Sequence, residues 1–204
     1  MNESNTSLEK VCKHSAATLH EAMGKYGALP AAIKPISPDM KLCGTAFTID
    51  TMPGDNLLLH KAIASAAIGD VLVADVSELY EAGYWGEIMT VAAQTRGLGG
   101  LVIDGCVRDA DRIEALGFPV FCRGLCIQGT TKAGRGSLNQ PIIIGKVTVQ
   151  PGDVIVGDRD GVVAIPRDRI EQVVQAALAR EAKEANTMAK LRAGKTTLEI
   201  YGWE

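Results

Sequence analysis

Three side chains in this 204-residue chain have the types and the placement to do chemistry together: Glu87, Arg108 and Asp109. A guanidinium is a planar fork suited to a carboxylate, and paired acids can hold a hard divalent cation or pass a proton. Arg108 and Asp109 lie in the stretch GGLVIDGCVRDAD (residues 99–111). Its apolar run, Leu101, Val102 and Ile103, predicts a buried strand, and Asp104-Gly105 a turn. Arg108 and Asp109 then stand at the entrance of a helix over 110–116, which Gly117 stops. Glu87 holds the same place one unit earlier, after the strand VLVADV (71–76) and a glycine-containing loop, at the front of a helix ending at Gly97. If the two strands are neighbours, both carboxylates face one crevice at the carboxyl edge of the sheet. The two helix starts would add backbone N–H groups for an anion. Taken singly, Asp109 suits an N-cap, Glu87 a helix dipole and Arg108 a surface ion pair. It is their coincidence at adjacent strand ends that points to a site.

The elements that must position them read as an α/β fold. Residues 7–26 show helical spacing at Val11, Leu19 and Met23, ended by Gly27 and Pro30. Residues 41–51 are strand-like, and Pro53-Gly54-Asp55-Asn56 is a turn opening a helix over 57–67. Strand, helix, strand, helix, strand over 70–122 is the pattern of a parallel sheet with right-handed crossovers. Residues 123–140 are glycine-spaced, 141–149 reads as strand, and 151–166 is a β-hairpin about Asp158-Arg159-Asp160-Gly161. A helix over about 167–191 carries an apolar stripe at Ile170, Val173, Val174, Ala177 and Leu178 that thins beyond residue 180. Such an end is expected to pack on a neighbouring subunit. The whole of 1–204 reads as one domain.

Composition narrows the function. A net charge of −3, no basic run and few aromatic side chains (two Trp, four Tyr, three Phe) argue against a nucleic-acid partner. No stretch approaches a membrane span and the first ten residues lack a signal pattern, so a cytoplasmic protein is expected. Five cysteines without C-x-x-C spacing predict small buried hydrophobes and neither a disulfide framework nor structural zinc. His14, His20 and His60 form no metal-ligand spacing, and no nucleophilic triad is evident.

The run GCVRDAD after an apolar strand, with an acid twenty-one positions before the arginine, resembles the RraA-like family. Further matches are IKP at 33–35, GTAFT at 44–48, GDVLVAD, the PGD…DGVV hairpin and a closing LRAG, so that the likeness spans nearly the whole chain. The family includes divalent-metal-dependent class II pyruvate aldolases acting on 4-hydroxy-4-methyl-2-oxoglutarate and related 2-oxo acids. The resemblance implies a swivelling β/β/α domain in a homotrimer or dimer of trimers. It implies Asp109 as direct ligand of Mg²⁺ or Mn²⁺, Glu87 holding metal-bound water, and Arg108 gripping the pyruvyl group and developing enolate. Gly86, Ile88 and Met89 would bind substrate, the last two through backbone N–H groups on the pyruvate carboxylate. Glu181 or Glu184 of a neighbouring subunit would complete the site through water. The chain departs from the family pattern in having Glu87 where aspartate is usual, and Arg112 three positions after Asp109 where an acid is expected; Asp111 or Glu114 could substitute. The implied activity is carbon–carbon cleavage releasing pyruvate, with oxaloacetate decarboxylation as a side reaction. The alternative within the family is a regulatory protein that docks to a ribonuclease and inhibits it without catalysis.

Overall fold

The computed structural model describes residues 3–203. In chain order the elements are α1 (Glu3–Val11), α2 (Ala16–Ala22), β1 (Lys34–Pro35), β2 (Leu42–Thr51), α3 (Leu57–Ser65), β3 (Val71–Asp75), α4 (Glu87–Thr95), β4 (Gly100–Ile103), β5 (Cys106–Val107), α5 (Ala110–Leu116) and β6 (Val120–Cys122). They continue with β7 (Gly124–Leu125), β8 (Gly136–Leu138), β9 (Ile142–Ile144), β10 (Val147–Val149), β11 (Val154–Asp158), β12 (Gly161–Ile165), α6 (Ile170–Arg192) and α7 (Thr197–Tyr201).

The main sheet runs β1-β6-β4-β3-β2-β11-β12, with β8 also paired to β2. Strands β3, β4 and β6 are parallel neighbours, the core expected from the strand–helix alternation over 70–122, and β2 extends it in parallel beside β3. Period-two alternation divides their side chains between two faces. Leu72, Ala74, Leu101 and Ile103 pack with the apolar sides of α3, α4 and α5 (Leu59, Met89, Ile113). Val71, Val73 and Val102 point the other way, into a layer closed by Ile142, Ile144, Val147 and Val149 of the β9–β10 hairpin. Burial on both faces is why these strands read as unbroken apolar runs. A third cluster joins Val11, Leu19 and Met23 to the β11–β12 hairpin and to Val173, Val174 and Ala177 of α6.

The differences from the sequence reading are local. The helix expected over 7–26 is broken into α1 and α2 by residues 12–15, and Ser15 caps α2 by accepting the Thr18 N–H at 3.1 Å. The single strand expected over 141–149 is a hairpin turning at Gly145-Lys146. The last helix begins with a 3₁₀ turn, Arg167–Arg169, before α6 proper. Cys12 and Cys43 form a disulfide, against the expectation of unpaired thiols; a thirty-one-residue separation in sequence gave no sign of it. Beyond Ala177 α6 has no buried residue. Among the described residues no helix is long and apolar enough to cross a membrane.

Candidate active site

Neighbouring parallel strands β3 and β4 bring the starts of α4 and α5 together, as the site requires. The Arg108 N–H donates to the Trp85 carbonyl at 2.8 Å, tying the segment before α5 to the segment before α4. Trp85 is fully buried, stacked on Phe118, and donates its indole N–H to Thr90 Oγ1 at 2.7 Å. Thr90 in turn donates to the Gly86 carbonyl at 3.0 Å, so the first turn of α4 is held rigidly.

Asp109 occupies the N-cap position of α5 but does not cap it. Its backbone is left-handed (φ 60°, ψ 35°), a conformation for which Asp is among the better-tolerated non-glycine residues. The carboxylate is thereby turned away from its own helix. Oδ2 accepts the Glu87 N–H of α4 at 3.1 Å and lies 3.7 Å from Arg108 Nε. Gly86 makes this approach possible: a Cβ there would sit 2.4 Å from Asp109 Oδ2 and 3.2 Å from Arg108 Cγ. Gly117, at φ 69°, ends α5 in the left-handed cap expected of it.

These residues line an open cleft of about 340 Å³ together with Ile88, Met89, Tyr84, Asn56, His60 and Lys132. The N-cap of α4 is Gly86, which has no side chain to cap with; Asp109 takes the Glu87 N–H, and the N–H groups of Ile88 and Met89 belong to the first turn, where helix geometry supplies no partner. Arg108, Asp109, Gly86, Ile88 and Met89 thus come together as the sequence suggested. Glu87 joins them through its backbone, while its side chain is exposed and does not line the cleft. Glu181 and Glu184 lie elsewhere in the same chain: Glu181 bonds His14 Nδ1 at 2.7 Å, and Glu184 pairs with Arg180 at 2.8 Å. Glu114 turns to Ser37 Oγ at 2.8 Å, and neither it nor Asp111 lines the cleft.

Asn56, His60 and Lys132 were not singled out by sequence reasoning. Asn56 donates to the Tyr84 carbonyl at 2.7 Å and accepts from the Lys132 ammonium. The loop carrying Lys132 is anchored by Asp55, which is fully buried. Its carboxylate accepts the N–H groups of Leu57 (3.0 Å), Gly134 (3.1 Å) and Ala133, and the Thr131 hydroxyl (3.0 Å). Burial alone would raise the Asp55 pKa, but these donors together hold it below the ordinary carboxylate value. His60 is depressed, first by burial and then by the Lys132 charge. The signal available in sequence was the PGDN turn, whose Asp and Asn are both used here.

The donor set bears on the implied metal. Among the described residues no group of three or more His, Cys, Asp and Glu side chains gathers as a ligand cage. Asp109 is the one carboxylate among the cleft-lining residues, beside hydroxyl, amide and backbone groups. Mg²⁺ keeps several waters and needs only one or two carboxylates, and Mn²⁺ shares its preference for oxygen. A single half-exposed carboxylate, not engaged by its own helix, therefore fits a hydrated hard cation.

Fold and site together define an α/β domain with an open cleft, lined by Arg108, Asp109 and Lys132, at the carboxyl edge of a parallel sheet. The chain belongs to the RraA-like (Aldolase/RraA) family, whose model matches residues 16–164. It is 39% identical over 175 residues, covering 86% of this chain and 82% of the other, to a Halalkalibacterium halodurans protein provisionally named a 4-hydroxy-4-methyl-2-oxoglutarate aldolase. An uncharacterised protein from Pseudomonas syringae pv. tomato has a similar solved structure (TM-score 0.86, 30% identity, 98% of this chain and 94% of that one). So has Streptomyces coelicolor RraAS2, described as an unusual member of the RNase ES inhibitor RraA family (TM-score 0.78, 25% identity, 90% and 96%).

Proposed function

We propose that this protein is a divalent-metal-dependent carbon–carbon lyase. It cleaves a 4-hydroxy-2-oxo acid, 4-hydroxy-4-methyl-2-oxoglutarate or a close relative, to pyruvate and a second oxo acid. The observation that carries the reading is the Asp109 carboxylate, turned off its own helix and set beside Arg108.

Asp109 and surrounding water would hold Mg²⁺ or Mn²⁺; the bound ion supplies Lewis-acid polarisation of the 2-oxo group, worth on the order of several kcal/mol. The Ile88 and Met89 N–H groups bind the C1 carboxylate at the helix start. Arg108 orients the pyruvyl group and stabilises negative charge on its oxygen as the C3–C4 bond breaks. The exposed Glu87 side chain, which does not line the cleft, would have to turn toward it to hold the water that takes the 4-hydroxyl proton. Lys132, bonded to Asn56, and His60 meet the acidic substituent on C4. The same groups would support oxaloacetate decarboxylation, in which the same enolate forms.

The assembly proposed is a homotrimer or dimer of trimers, in which Glu181 or Glu184 of a neighbour is brought to the cleft. Within one chain neither carboxylate lines it, so only another copy can supply one. A non-catalytic inhibitor that docks to a ribonuclease is the competing reading, favoured by the likeness to RraAS2. The cations Arg108 and Lys132 set about a carboxylate in a concave cleft support chemistry over docking.

The test is pyruvate release from 4-hydroxy-2-oxo acids with Mg²⁺, with and without a chelator. Activity should vanish on chelation and return with added metal, and Asp109→Asn should lose at least about 10²-fold while remaining folded. Turnover that survives chelation rejects the metal, and full activity in Asp109→Asn rejects the site.

A further inference from the structure

The Cys12–Cys43 bond lies outside the cleft and has no part in the proposed chemistry. Its Cα atoms are 5.6 Å apart, in the ordinary range for a disulfide. It joins the residue after α1 to the second residue of β2. Cys12 is exposed and Cys43 half-buried, and both line an open depression of about 320 Å³ that also holds Lys13, Lys41 and His14. The acid of that depression, Asp158, has its carboxylate engaged by the Ala16 and Asp160 N–H groups at 2.8 and 3.0 Å. Cations beside a sulfur favour thiolate as attacking and as leaving group. Cys106 and Cys122, by contrast, are buried free thiols.

Two residues beyond Cys12, His14 is buried and bonded to Glu181 of α6. Seven further on, Glu21 meets Arg180 at 3.4 Å. The segment held by the disulfide is therefore the one that fixes α6 where its apolar stripe ends. We propose that Cys12–Cys43 is a reversible thiol–disulfide site, reduced by dithiols, that latches the N-terminal cap to β2 and through His14 steadies the long helix. One thiolate of the dithiol attacks the exposed Cys12 sulfur; the S–S bond breaks and Cys43 leaves as a thiolate. The second thiol of the reductant then displaces Cys12. Both cysteines take up protons, and the dithiol is released as its own disulfide. The residues lining the cleft of the same chain are not among those latched, and the inference meets the lyase reading only through α6, which carries the Glu181 and Glu184 proposed to reach a neighbour's cleft.

The test uses the full chain treated with millimolar dithiothreitol and then reoxidised with glutathione disulfide. Reduction should add two hydrogens to the intact mass, and alkylation in the folded state should mark Cys12 and Cys43 but not Cys122. Amide exchange in residues 7–15 and 173–184 should quicken at least about 10-fold, while residues 85–90 stay unchanged. The midpoint of thermal unfolding should fall on the order of 10 °C and recover on reoxidation. Cys43→Ser should match the reduced protein without dithiol; should it fail to fold, the reduction cycle of the unaltered chain decides. A bond that resists dithiol, reduction that leaves exchange in both segments unchanged, or loosening spread equally to residues 85–90 overturns the proposal.

Discussion

Substituting Gly86 by alanine tests the site through one methyl group. Gly86 has an extended backbone (φ −157°), so alanine brings no dihedral strain, and the effect must come from contact. The added Cβ would lie 2.4 Å from Asp109 Oδ2, 3.2 Å from Arg108 Cγ and 3.4 Å from Arg108 Nε. Ordinary contact begins near 3.4 Å, so the carboxylate oxygen must retreat by about 1 Å, which breaks its 3.1 Å bond to the Glu87 N–H. Misplacing a reacting group by that much costs about 10²-fold in rate. The crowding itself costs about 1–3 kcal/mol of stability, roughly 2–12 °C in unfolding midpoint for a chain of this size. Gly129→Ala is the control, because Gly129 lines the same cleft yet a Cβ there meets nothing within 4 Å. Pyruvate release at saturating Mg²⁺ and Mn²⁺ titration by calorimetry should both be impaired in Gly86→Ala and unchanged in Gly129→Ala. Equal activity and equal Mn²⁺ affinity in the two variants would refute the claim that Asp109 works from the position described.

Two further expectations concern the Asp55–Lys132 side of the cleft. Lys132→Met should raise the His60 pKa toward 6.5 by removing one of its two causes of depression, as read by NMR titration; an unmoved His60 would show that Lys132 does not reach it. Because the folded-state pKa of Asp55 is depressed, its stabilisation is present above its unfolded value near 3.8 and is lost as pH falls below that. Asp55→Ala should cost about 2–4 kcal/mol at neutral pH by leaving the loop's N–H donors unpaired, and the difference from wild type should shrink in acid. A pH-independent difference would contradict the linkage.

Much of this was legible because it is written in local pattern. The unbroken apolar runs in Val71–Asp75 and Gly100–Ile103, the glycine stop at Gly117 and the order of strands and helices are set by residue type and dihedral preference within a few residues. From them followed the parallel core and the meeting of Arg108 and Asp109 with the start of the helix at Glu87. The tertiary structure alone decided which groups face one another across long separations. Lys132 reaches Asn56 over seventy-six residues, Cys12 reaches Cys43 over thirty-one, and His14 reaches Glu181 over 167. It also decided that the Asp109 carboxylate serves the neighbouring helix and that the Glu87 side chain is exposed and does not line the cleft. Such pairings depend on sheet order and on how layers close over it, and no short window of sequence carries that information; the residue types announced what could be done, and the packing of distant segments determined where.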